Sequence, residues 1–144
     1  MTIALDVNPL VFATQEDSPF RAVAHAVLTD LREQGETTYL FWPVAVGYVR
    51  VSTSPRLHRA PLSLGEAVEN VESWVTLPNV QTGIERPGFW TRFAEACTEA
   101  SATGNLVSDA YIVALMRQHG VHRVLTHDRD FRKFDGIRVV DPFV

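Results

Sequence analysis

The sequence predicts an α/β fold: one domain over residues 1–144, built as a parallel sheet flanked by helices. Three observations predict it. Short apolar runs alternate with helix-period stretches along most of the chain, the order of a mostly parallel sheet covered on both faces. The strand-like runs are compactly apolar, as buried strands are. The length of 144 residues, 46% of them hydrophobic and 21% charged, suits a single core.

Thr2 to Asp6 reads as a short strand ending on a carboxylate. Asn8-Pro9 then opens a helix, with proline expected at the first helical position. Phe20, Val23, Ala24, Val27, Leu28 and Leu31 share one helical face, and Gly35 falls just past its end. Tyr39 to Trp42 reads as a buried strand, and Pro43 begins an apolar helix through Val51. Ser63-Leu-Gly-Glu66 has the form of a capping box ahead of the stripe Ala67, Val68, Val71, Trp74 and Val75. Val80 marks a further short strand. Phe89, Trp90, Phe93, Ala94 and Cys97 form another helical stripe. Leu106 to His119 is a helix closed by Gly120. Val121 to Thr126 reads as a strand, His127 to Phe134 as a tight turn with a short helix, and Ile137 to Val140 as the last strand. Trp42, Trp74 and Trp90 lie on apolar stripes and are expected in the core.

Composition excludes several classes of function. Thirteen Lys plus Arg against seventeen Asp plus Glu leave a net charge of −4, so no basic field advertises nucleic-acid binding. Cys97 has no partner in the chain for a disulfide. No run approaches the ~20 apolar residues of a membrane span, and the start lacks a signal-peptide pattern. A soluble, cytoplasmic protein is therefore expected. The five histidines lack zinc-ligand spacing, and neither a Walker loop nor a dinucleotide fingerprint is present.

In parallel α/β sheets, ligands sit beyond the carboxyl ends of the strands. Asp6 ends the first strand, Asp128 and Asp130 follow the strand through Thr126, and Asp109 lies near the start of the helix after Gly104. All four are expected on one rim. Converging carboxylates repel and raise one another's pKa, and a divalent cation removes that conflict. All-oxygen donors select Mg²⁺, with Mn²⁺ as the alternative, over Zn²⁺. Such a site suits metal-assisted hydrolysis of a phosphodiester. Taken singly, each aspartate also fits a cap, a turn former or a helix-dipole partner. Their joint placement on one rim favours the metal site.

Four stretches in order resemble the PIN domain, and within it the VapC-type toxins of bacterial toxin–antitoxin pairs. They are Leu5-Asp6-Val7-Asn8, Arg50-Val51-Ser52-Thr53-Ser54-Pro55, Gly104-Asn105-Leu106-Val107-Ser108-Asp109-Ala110 and Leu125-Thr126-His127-Asp128-Arg129-Asp130-Phe131. Any one stretch is weak; the ordered set spans essentially the whole chain. The resemblance implies a PIN fold and a Mg²⁺-dependent endoribonuclease acting on structured RNA. It also implies a homodimer and a VapB-type antitoxin, together forming a heterotetramer or larger assembly. It assigns Asp6, Asp109 and Asp128 to catalysis and, with Asp130, to the metal. Asn8, Asn105 and Thr126 are expected as supporting residues. Arg50 and Arg129 are expected to face RNA phosphates.

One departure matters. Many members carry a glutamate on the helix after the second strand, and here Gly47 lies near that place. The site is then expected to hold three to four carboxylates. This leaves a second reading: an idle or weak PIN module that acts by binding antitoxin or RNA. An aspartyl phosphatase is a third reading, disfavoured because Asn8 stands where that chemistry wants a second acid. The apolar faces at Phe20–Leu31 and Leu64–Val75 are expected mainly in the core, with any surplus serving a dimer or antitoxin contact.

Overall fold

The computed structural model describes all residues, 1–144. Five short strands form one sheet: β1 (Thr2–Leu5), β2 (Thr37–Tyr39), β3 (Val80–Gln81), β4 (Arg123–Leu125) and β5 (Arg138–Val140). Their order is β3-β2-β1-β4-β5, and every neighbouring pair is parallel. Ala4 pairs with Tyr39 on one side and Val124 on the other, so β1 is central. All carboxyl ends therefore open onto one rim.

Six helices connect the strands: α1 (Val7–Thr14), α2 (Arg21–Glu33), α3 (Trp42–Ser52), α4 (Leu64–Val75), α5 (Phe89–Ala100) and α6 (Asn105–Gln118). A short 3₁₀ helix, Arg129–Lys133, separates β4 from β5. The capping box is present: the Glu66 amide donates to Ser63 Oγ, and the Ser63 amide donates to Glu66 Oε1, both at 3.1 Å. Ile3, Leu5, Leu10, Leu40, Phe41, Val113, Leu115, Met116 and Leu125 pack into one core. Each such aliphatic or aromatic side chain contributes about 1.5–3 kcal/mol by leaving water. Tyr48 ties three helices together. It is fully buried, accepts from Asn70 Nδ2 at 3.0 Å and shares a 2.8 Å hydrogen bond with Thr14 Oγ1.

Some elements differ from the sequence reading. The second strand is Thr37–Tyr39, and Leu40 and Phe41 form the buried link into α3, which already begins at Trp42. Pairing with Thr2–Ala4 fixes that strand; apolarity alone does not. Pro9 is the third helical residue because Asp6 is the N-cap of α1. Its missing N–H is still one of the orphan donors of a helix start, so the helix loses no bond. Trp90 is 73% exposed and Trp42 is 45% exposed, so neither is a core residue; Trp74 packs edge-on against Tyr48 at 4.9 Å. α2 fully buries only Ala24 and Leu31, and α4 only Ala67. Val68 on α4, with Trp42 and Val46 on α3, lines one exposed apolar groove, and Leu64, one turn before Val68, is exposed too. No helix is long and apolar enough to cross a membrane.

Candidate metal centre

The parallel pairing of β1 with β4 builds the site. Leu5 is in register with Leu125, so the residues that follow each strand come out side by side. The Asp6 amide donates to the Leu125 carbonyl at 3.1 Å. Thr126 Oγ1 then donates to Asp6 Oδ2 at 2.6 Å and accepts the Asp128 amide at 2.9 Å. Asp128 Oδ1 accepts the Asp130 amide at 2.9 Å, capping the 3₁₀ helix. One buried hydroxyl thus holds Asp6 and the Asp128 turn in a fixed relation.

Asp109 arrives from the other side. Gly104 precedes α6 with φ 58° and ψ −130°, a conformation open to glycine and strained for other residues. That turn launches α6 so that Asn105 and Asp109, one helical turn apart, line the same cavity. Carboxylate oxygens of Asp109, Asp128 and Asp130 all lie within 4.8 Å of one another. Asp6 lines the cavity with Asp109 and Asp128 but stands outside that closest set, nearly buried against Thr126. The side chain of Asp130 is 50% exposed and contacts Lys133 Nζ at 3.3 Å.

The carboxylates are electrostatically frustrated. Burial raises the Asp6 pKa above its ordinary value, against the pull of the Thr126 hydroxyl and the Val7 amide, and Asp128 raises it further. Asp109 is pushed up to about 8, first by desolvation and then by Asp128, Asp6 and Asp130, with Lys133 alone opposing. Without a further cation, Asp109 keeps a proton at neutral pH. An all-oxygen cluster short of positive charge is what a hard divalent cation fits. Asp109, Asp128 and Asp130 would hold it. No imidazole joins the converging set; His127 packs its ring beside Phe20 and Phe143, with Nδ1 on Asp141 at 3.0 Å.

Asn8 Oδ1 accepts the His127 amide at 3.2 Å and lines the cavity with Asn105. Arg50 lines the same cavity, is exposed, and forms no ion pair. Arg129 is exposed beside Asp128 but does not line the cavity. Gly47 contributes no carboxylate, and its place has a packing reason. A Cβ there would stand 3.0 Å from Val7 Cγ2, so glycine lets α3 approach α1. Lys133 joins the rim as the ion partner of Asp130, an i,i+3 spacing visible in the sequence. Sequence reasoning misses Tyr111, which lines the cavity, and Asp141, for which no local signal exists.

The fold and this acidic rim define a class. A family model described as "PIN domain" matches residues 3–137, and the chain belongs to that family. Ribonuclease VapC48 of Mycobacterium tuberculosis is 46% identical over 143 residues, covering 99% of each chain. VapBC2 from Rickettsia felis, solved with a promoter DNA fragment, superposes with a TM-score of 0.70 at 15% identity over 98% of each chain. FitAcB from Neisseria gonorrhoeae superposes with a TM-score of 0.67 at 21% identity, again over 98% of each chain. The two solved structures share the fold.

Proposed function

We propose that this chain is the toxin of a VapBC-type pair, an endoribonuclease that hydrolyses RNA phosphodiesters at a Mg²⁺- or Mn²⁺-bearing acidic site. The observation that carries it is the meeting of Asp109, Asp128 and Asp130, from chain-distant elements, within 4.8 Å on the carboxyl rim. The 46% identity to a protein named a ribonuclease, over nearly the full length of both, supports the same activity. A divalent cation bound there supplies a Lewis acid and a more acidic bound water. The chain's own residues do the rest. Asp109, Asp128 and Asp130 hold the charge, and Thr126 fixes Asp6 and the Asp128 turn through one hydroxyl. Asn8 clamps the loop at His127. Arg50, free of carboxylate partners, is placed to meet an RNA phosphate.

The idle-module reading has less support, since Gly47 leaves the three-carboxylate cluster complete. The proposed setting is the cytoplasm, as a homodimer and in a larger complex with a VapB-type antitoxin. The exposed groove of Trp42, Val46 and Val68 offers a helical partner its apolar contact. The test uses toxin freed of antitoxin and given structured RNA. Cleavage is expected with Mg²⁺ or Mn²⁺ and is expected to stop in a chelator. Equal cutting with the metal stripped away would refute the proposal.

A further inference from the structure

The cavity that carries the aspartates is larger and more apolar than a metal and a phosphate need. Its volume is about 530 Å³. That lies within the ~300–1,000 Å³ typical of sites for whole small molecules. Val7, Val11, Val44, Val46 and Ile112 line it alongside Asp6, Asp109 and Asp128. Two aromatic residues, Phe12 and Tyr111, also line it.

Both rings are held from behind. Tyr111 donates its hydroxyl to Glu85, and its ring packs 5.1 Å from Phe89 and 6.2 Å from Phe93. Phe12 packs 4.9 Å from Phe20 and 5.1 Å from Phe143. Arg50 stands in the same cavity as an uncompensated cation. Apolar walls, two buttressed aromatic residues, a guanidinium without an ion pair and three of the rim's four aspartates in one space match the parts of a nucleotide: base, phosphate and reacting bond.

We infer that this cavity seats one unpaired base next to the scissile phosphate, with Tyr111 as a stacking wall that positions it. This rests on the RNA-hydrolase reading above. A base inside a duplex cannot enter without leaving its stack, so the cut nucleotide comes from a loop or single strand. Tyr111 acts here as a positioning and specificity residue. The acidic cluster alone favours any phosphodiester; the apolar volume beside it is what distinguishes one nucleotide from another.

The test takes a hairpin RNA whose cut site has been mapped and replaces the base on each side of the cut, in turn, with an abasic nucleotide. Wild type, Tyr111→Ala and Tyr111→Phe are compared by kcat/KM. One abasic position is expected to lose about 5- to 150-fold with the wild-type protein, the span of one stacking contact. Tyr111→Ala is expected to show a similar loss on the intact RNA and little further loss on the abasic one. Tyr111→Phe keeps the ring and is expected to stay close to wild type on both. Equal cutting of intact and abasic RNA by the wild type overturns the inference. So do losses that multiply between the variant and the abasic RNA. If Tyr111→Ala does not fold, the wild-type comparison decides alone. Cleavage that survives Asp128→Asn would sink the hydrolase reading itself. Cleavage that needs Asp128 but ignores the base sinks only the base seat.

Discussion

The two rims of the sheet treat charge in opposite ways. Towards the amino rim, Glu36 and Glu99 both find counterions. Arg123, at the start of β4, pairs with Glu36 and also reaches the Thr2 carbonyl. Arg117, at the end of α6, holds Glu99 at 2.9 Å, and Glu99 also receives the Asp135 amide. Glu99 consequently lies below the ordinary carboxylate range, chiefly through its hydrogen bond from Arg117. At the carboxyl rim Asp6, Asp109, Asp128 and Asp130 have a single ion pair among them, Lys133 on Asp130, and Asp109 rises to about 8. A fold selected for stability alone would pair these groups as it pairs Glu99. Leaving Asp6, Asp109 and Asp128 without an ion pair marks the rim that waits for a ligand.

The sharpest way to break this contrast is to remove one frustrated carboxylate. Asp128→Asn or Asp109→Asn should reduce RNA cleavage by more than the ~10–100-fold usual for residues that only support metal ligands. Rates on a labelled hairpin measure it, and near-wild-type cutting would move the reaction elsewhere. Thr126→Val removes the hydroxyl that serves both Asp6 and the Asp128 turn. Its expected cost is ~10–100-fold in rate. It should also lower unfolding stability by ~1–3 kcal/mol, the cost of a buried group left unpaired, read by urea titration.

The next effect concerns pH. Folded Asp109 binds its proton more tightly than the unfolded chain, whose ordinary value is 3.8. The folded state therefore carries the extra proton between about 4 and 8, and metal-free stability falls as pH rises through that window. Asp109→Asn should raise the metal-free melting temperature at pH 8, by about 2–4 °C for each kcal/mol of repulsion removed, and change it little at pH 4. Added Mg²⁺ should stabilise the wild type increasingly as pH rises, because binding needs the ionised form. A flat melting temperature from pH 4 to 8 in the wild type would contradict this. The smallest effect lies on the satisfied rim. Glu99 is depressed, so its stabilisation is present above its unfolded pKa and lost as pH falls. Glu99→Gln should cost under about 1 kcal/mol and leave cleavage unchanged.

Much of this contrast is legible in the residues alone. Apolar periodicity, with the prolines at 9 and 43, locates all six helices, and Ser63 with Glu66 marks the start of α4 to the residue. The strand-end rule puts four aspartates on one rim because parallel topology sends every strand end the same way. What stays hidden depends on three-dimensional neighbours. The second strand is displaced from its expected place because Leu40 and Phe41 are as apolar as strand residues yet only link β2 to α3. Trp90 lies on an apolar stripe, but α5 turns that edge to solvent. Asp6 reads like the other aspartates, and only the register of β1 with β4 reveals its bond to Thr126. Tyr111 is silent in the sequence because its task depends on Glu85, on a distant loop.

The central place of β1 has a consequence for biosynthesis. The carboxylate at position 6 must wait for a threonine 120 residues downstream before its surroundings exist. A nascent chain that has not yet delivered β4 and the 3₁₀ turn lacks both strands on one side of β1 and two of its four acids. An unfinished copy on the ribosome therefore cannot assemble the acidic cluster, which comes into being only when translation is nearly over.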